Sequence, residues 1–245
     1  MNPRYLLFEI RILIRNSRFL IFTVALPAVL FLVYSGIFGD QGENYPDGTP
    51  VRASLMVSMA AYGAMSAAFS TSSLIAVERG LGWQRQLRLT PLTGTGYLLT
   101  KTALAMLLAV PAILIVSVLG AVMGVRLDAG QWLAVTAGLW LAVLPFTVLG
   151  LVIGQFVTPE SQQPVTSAVT IVLGLVGGLW IPAEVVPEWM QTIMKATPTY
   201  WLREVGHSAF APHPAIGTAV AVLGAYAAAA ALIAARRYSR DAARV

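Results

Sequence analysis

Enzymatic chemistry has few places to reside in this sequence. His207 and His213 are the only histidines, six positions apart with Pro212 between them, and a metal would need further convergent ligands. With no cysteine in 245 residues, a thiolate metal site, a cysteine nucleophile and a disulfide framework are excluded. The segment 94–102, GTGYLLTKT, has the outline of a phosphate loop. A true one needs a glycine before its lysine and another five residues earlier, and those places hold Thr100 and Thr95. There is no Gly-x-Ser-x-Gly elbow and no carboxylate pair inside an apolar run. What remains is a row of hydroxyls. At about 100° per residue, Ser54, Ser58, Tyr62, Ser66, Phe69, Ser70 and Ser73 fall within a helical arc of about 160°. Hydroxyls so placed either line a solute path or hydrogen-bond to neighbouring helices.

The elements that position this row follow from composition. Hydrophobic residues make up 57% of the chain and charged residues 11%, against about 25% charged in a soluble domain. A helix needs roughly 20 apolar residues to cross a bilayer. Six stretches qualify, at about 19–38, 54–77, 102–125, 132–157, 165–181 and 216–235, and none contains Asp, Glu, Lys or Arg. The expected fold is an all-α polytopic membrane protein in one transmembrane domain, 1–245. Pro27, Pro111 and Pro145 inside these runs predict kinks. Gly120/Gly124, Gly150/Gly154 and Gly174/Gly178 predict close helix contacts. No intramembrane charge is available to drive uphill transport, so any such activity must draw energy from elsewhere.

Basic residues set the expected orientation. The N-terminal segment, the loop after the second run and the C-terminal tail hold twelve of the sixteen, and the opposite side holds Arg52, Arg126, Lys195 and Arg203. By the positive-inside rule both termini are cytoplasmic. Four arginines over eighteen residues make too long a start for a signal peptide, so the first span is expected to be retained.

Three segments lie outside the six runs. Residues 4–18 form an amphipathic pattern with Arg4, Arg11, Arg15 and Arg18 on one side, as expected of an interfacial helix on anionic lipid. Glu9 points away from that stripe, and either marks a protein contact or reaches water at the helix edge. The loop 78–101 holds a short helical stretch at 83–89, stopped by Thr90-Pro91. It reads either as a docking helix or as a solvated loop with the usual positive-inside charge. Residues 182–214 are punctuated by Pro182, Pro187, Pro198, Pro212 and Pro214. These bracket short helices at Glu188–Ala196 and Thr199–Phe210 that dip into the outer interface, with Trp180, Trp189, Tyr200 and Trp201 at headgroup depth.

The whole chain resembles a type-2 ABC transporter permease of the drug- and antibiotic-exporter kind. Two motifs carry the resemblance. One is Glu78-Arg79, Gly82 and Leu87-Arg88-Leu89-Thr90-Pro91-Leu92, ending at Lys101, and it is similar to the family's coupling loop. The other runs from Gly178-Leu179-Trp180-Ile181-Pro182 through Pro187-Glu188-Trp189 to Pro198 and Trp201. Trp83 stands where the family more often has a small or polar residue. The resemblance implies an exporter subunit that is not itself an enzyme, with ATP and Mg on a separate cytoplasmic ATPase present in two copies. It implies a second permease copy or a sister permease, a bacterial inner-membrane location, a hydrophobic small-molecule substrate and no nucleic-acid partner. Glu78, Arg79, Gly82, Trp83, Arg85, Leu87, Arg88 and Pro91 would couple to the ATPase. Ser58, Tyr62, Ser66, Phe69, Ser70 and Ser73, with Thr166 and Thr170 of the fifth span, would line the path. Trp180, Pro182, Trp189 and Trp201 would form an outer gate. The competing expectations are an ATPase-independent channel, facilitator or scaffold, and an intramembrane enzyme, for which no residue can be nominated.

Overall fold

The computed structural model describes residues 17–39, 44–45, 48–82, 94–211 and 214–243. The named elements there are helical: α1 (Ser17–Phe38), α2 (Val51–Gly80), α3 (Gly94–Val122), α4 (Ala129–Ala142), α5 (Leu144–Phe156), α6 (Pro159–Val176), a 3-10 turn at Ala183–Val185, α7 (Glu188–Lys195), α8 (Pro198–His207) and α9 (Ile216–Ala243). The expected interfacial helix at 4–18 lies almost wholly outside the described residues. Among the described residues four stretches are long and apolar enough to cross a membrane: Val51–Glu78, Thr95–Val122, Ala129–Phe156 and Ile216–Arg237. Helices α1 and α6 occupy the first and fifth apolar runs.

Burial ranks these helices. An 18-residue apolar stretch of α2 is 94% buried inside the protein, whereas the corresponding stretch of α9 is 17% buried. Helix α2 touches α1, α3, α4, α5, α6 and α8; α9 leans on α5 and α8. Small residues make that central position possible. Ala60, Ala61, Ala64, Ala67 and Ala68 are fully buried. On α5 a Cβ added at Gly150 would stand 3.0 Å from the Ala68 carbonyl oxygen, and one at Gly154 would stand 2.8 Å from that of Ser72. Backbones approach this closely only where side chains are absent.

Local sequence explains the helix boundaries. Asp128 accepts from the Gln131 backbone and Gln131 returns the bond, a capping box that starts α4. Thr158 and Ser161 do the same for α6, with Pro159 in the first turn. That cap starts α6 at 159 instead of 165. Among the three internal prolines only Pro145 accompanies an interruption, at Val143 between α4 and α5. It lacks the N–H that would continue the ladder to the carbonyl four residues back. Helices α1 and α3 run through Pro27 and Pro111. The largest difference from the sequence reading is at the 78–101 loop. Helix α2 continues through Gly80 and α3 begins at Gly94, so both flanks of that loop are helical.

Candidate functional site

Helices α1, α2 and α6 enclose a groove of about 310 Å³. Tyr62, Ser66 and Ser70 line it from α2, and Gln162, Gln163, Thr166, Ser167 and Thr170 from α6. Thr23, Leu26 and Pro27 of α1 and Ile171 of α6 complete the wall, which among the described residues holds no acidic or basic side chain. Spacing by four puts Gln162, Thr166 and Thr170 on one face of α6. Part of that face is spoken for. Ser72 Oγ and Thr166 Oγ1 are 3.0 Å apart, and the Gln162 amide donates to both, at 3.3 and 3.1 Å. The Thr170 hydroxyl donates to the Thr166 carbonyl at 2.8 Å. Five of the eight expected path residues thus meet in one groove: Tyr62, Ser66, Ser70, Thr166 and Thr170.

Two others face elsewhere. Phe69 is fully buried and meets Phe146 of α5 edge to face, with centroids 6.0 Å apart. Ser58 accepts from Arg203 Nε of α8 at 3.1 Å, and Ser54 accepts from the same guanidinium at 3.2 Å. The backbones of Ser73 and Arg79 lie in α2, but their side chains lie outside the described residues. Ser72, next to the serine that the helical arc selected, hydrogen-bonds α2 to α6.

Above the groove, Tyr62 packs edge to face on Trp180 at 5.5 Å. Trp180 and Pro182 line a second, mostly apolar cavity of about 440 Å³ with Tyr34, Phe38, Tyr45 and Leu55. The other two expected gate residues stand apart from it. Trp189 is 67% exposed on α7, and the Trp201 indole donates to the Lys195 carbonyl at 2.8 Å. Gly178 makes the turn between α6 and Trp180 with φ +76°, a conformation that favours glycine.

Each end of α2 holds buried charge. At one end Lys101, with no exposed surface, sits 2.5 Å from Glu78 Oε1, while the Tyr97 hydroxyl donates to Glu78 Oε2 at 2.6 Å. Lys101 Nζ also lies 5.6 Å from the centre of the Tyr97 ring. At the other end Arg203 is 1% exposed and His207 3%. Burial holds the His207 imidazole well below its ordinary pKa, and the nearby Arg203 charge adds to this against a contact with the Ser54 carbonyl. Sequence reasoning singled out Glu78 but missed Tyr97, Gln162 and Arg203 as parts of these assemblies. The four-residue spacing of Gln162, Thr166 and Thr170 was the available signal for the α6 face. Among the remaining expected coupling residues, Gly82 turns the chain with φ +68°. Glu9, Trp83, Arg85, Leu87, Arg88 and Pro91 lie outside the described residues.

Comparison with known proteins bears on what such a groove does. The family described as "ABC-2 type transporter" matches residues 6–210. A protein of Bacillus subtilis (strain 168) named "Putative transport permease YvfS" is 29% identical over 196 residues, which cover 78% of each chain.

Proposed function

The chain belongs to the ABC-2 type transporter family, and from that premise we propose that it is the transmembrane permease subunit of an ATP-driven exporter. The cargo is an amphiphilic or hydrophobic compound: a drug, an antibiotic or a lipid-like molecule. The observation that carries this reading is the groove between α1, α2 and α6, where hydroxyls and amides share the wall with Leu26, Pro27 and Ile171 and, among the described residues, no fixed charge intervenes. Such a wall solvates a molecule with an apolar body and a few neutral polar groups. Among the described residues it offers no carboxylate, imidazole or amine through which a proton gradient could act.

In this reading all six apolar runs cross the bacterial cytoplasmic membrane, with both termini and the 81–93 segment inside. The protein binds no cofactor of its own. A cytoplasmic ATPase, in two copies, holds ATP and Mg and docks on the 78–92 segment, and a second permease or a sister chain completes the path. The test is reconstitution. The chain, purified with its associated ATPase and placed in liposomes, should move a fluorescent hydrophobic amphiphile against its gradient only when ATP is present. Downhill flux through the chain alone, indifferent to ATP, would instead mark a channel or facilitator.

A further inference from the structure

We propose that Lys101 and Tyr97 are positioning residues of the coupling device. With Glu78 they form a brace that fixes α2 against α3 at the mouth of the 81–93 segment, so that force on that segment moves α2 as a rigid lever. The inference rests on the permease reading for its functional consequence and on the structure alone for its geometry.

Both carboxylate oxygens of the brace are engaged. Glu78 Oε1 receives Lys101 and Oε2 receives Tyr97. A cation with no exposed surface needs an anion against it, and Glu78 is that anion. Both carboxylate oxygens therefore bond inside the chain, which makes Glu78 part of an internal joint. The joint is also placed to act on the groove. The same stretch of α2 meets α6: a Cβ at Gly80 would stand 2.8 Å from Pro159, and Ser72 bonds Gln162 and Thr166. At the opposite end Arg52 donates to the Met123 carbonyl at 3.1 Å, tying the start of α2 to the end of α3. Two helices held at both ends translate together, and the hydroxyl-bearing face of α2 goes with them.

The lack of cysteine makes the test clean. Spin labels at Leu81→Cys and Thr95→Cys, both exposed positions on the two flanks, report the α2–α3 distance by pulsed electron resonance in nanodiscs without any ATPase. The parent should give one narrow distribution. Lys101→Met should broaden it about twofold or more, and the double swap Glu78→Lys/Lys101→Glu should narrow it again. With the ATPase present, Lys101→Met should cut the ratio of cargo-stimulated to basal ATP hydrolysis by about fivefold, with Tyr97→Phe intermediate. An unchanged distance distribution in Lys101→Met overturns the brace, even if transport is intact. A broadened distribution with rescue by the swap, in a chain that recruits no ATPase, keeps the brace and removes the permease reading. If Lys101→Met does not fold, Tyr97→Phe carries the same distance measurement, and no broadening there overturns the brace as well.

Discussion

At one end of α2, Glu78 meets Lys101 across a single loop, 23 positions along the chain. At the other end, Ser58 and Ser54 receive the Arg203 guanidinium from 145 and 149 positions away. The first assembly joins consecutive helices and sets a carboxylate against its cation. The second pins the short helix α8 onto the central helix through hydroxyls. A local ion pair makes a stiff hairpin whose two arms move together. A long-range clamp instead closes the bundle, because it ties the last third of the chain to the buried middle. In the proposed coupling device the moving parts belong at the first end, while the second end serves global stability.

The widest gap should come from removing each cation. Arg203→Met leaves two buried serines without their charged donor, and hydrogen bonds to charged groups contribute about 1.5–3 kcal/mol each. A loss of about 3 kcal/mol in stability is expected, read as a fall in unfolding temperature in detergent. Lys101→Met should cost less, about 2 kcal/mol, because the Glu78 side chain keeps 17% exposure and its Tyr97 bond. Equal losses would break the contrast between a stiff local joint and a clamp that closes the fold.

Glycines sharpen the same contrast through packing. A methyl at Gly154, beside the Glu78 half of α2, meets the Ser72 carbonyl at 2.8 Å, and backbone cannot yield without moving a helix. A methyl at Gly206, beside Arg203, meets Val57 Cγ1 at 2.6 Å and Leu139 Cδ2 at 3.0 Å, side-chain atoms that yield by smaller shifts than backbone does. After the helix-propensity gain of about 1 kcal/mol, Gly154→Ala should still cost about 2 kcal/mol and Gly206→Ala about 1 kcal/mol. Thermal unfolding of the two variants side by side decides the order.

Acid should weaken the Arg203 end through its histidine. His207 has a folded-state pKa depressed by burial and by Arg203, so the unfolded chain takes up a proton that the folded chain refuses. Its contribution to stability is complete above about pH 6.5 and falls as pH drops below that value, by up to about 1.4 kcal/mol per pH unit. Unfolding curves from pH 7.5 to 5 should show that slope in the parent. The slope should be shallower in His207→Phe. A His207→Phe slope equal to the parent's would remove histidine from the account of this end.

How much of this was legible in the sequence depends on distance along the chain. Apolar runs and prolines placed the helices, because span length and the missing proline N–H are local facts. Glu188–Lys195 and Pro198–His207 lie where Pro187 and Pro198 put them. The start of α3 at Gly94 was hidden. Tyr97 and Lys101 are helical there while buried against Glu78, and no local pattern records a partner in another helix. Arg203 was counted only as a charge on the sparse side, since nothing near it announces Ser54 and Ser58. On α2 the angular arc selected a face correctly enough to find Tyr62, Ser66 and Ser70 in the groove. An arc of about 160° spans several neighbours, so it also swept in Ser58, which serves α8, and Phe69, which serves α5.

The smallest expected effects separate packing hydroxyls from lining ones on the stretch of α2 between the two ends. Ser72 bonds both Thr166 and Gln162 in a buried triad. Ser72→Ala should therefore cost about 1 kcal/mol of stability and alter transport of every cargo alike. Ser66 lines the groove and is only partly buried. Ser66→Ala should change stability by less than about 0.5 kcal/mol. It should also shift transport between cargoes, lowering the rate for those with a hydroxyl or carbonyl relative to plain apolar ones. The measurement is a pair of rates, one polar-substituted and one unsubstituted amphiphile, for each variant. If Ser72→Ala discriminates between the pair and Ser66→Ala does not, the path runs along the α2–α6 contact and the groove is packing. If the ratio moves only in Ser66→Ala, the middle of α2 belongs to the cargo while its two ends belong to the fold.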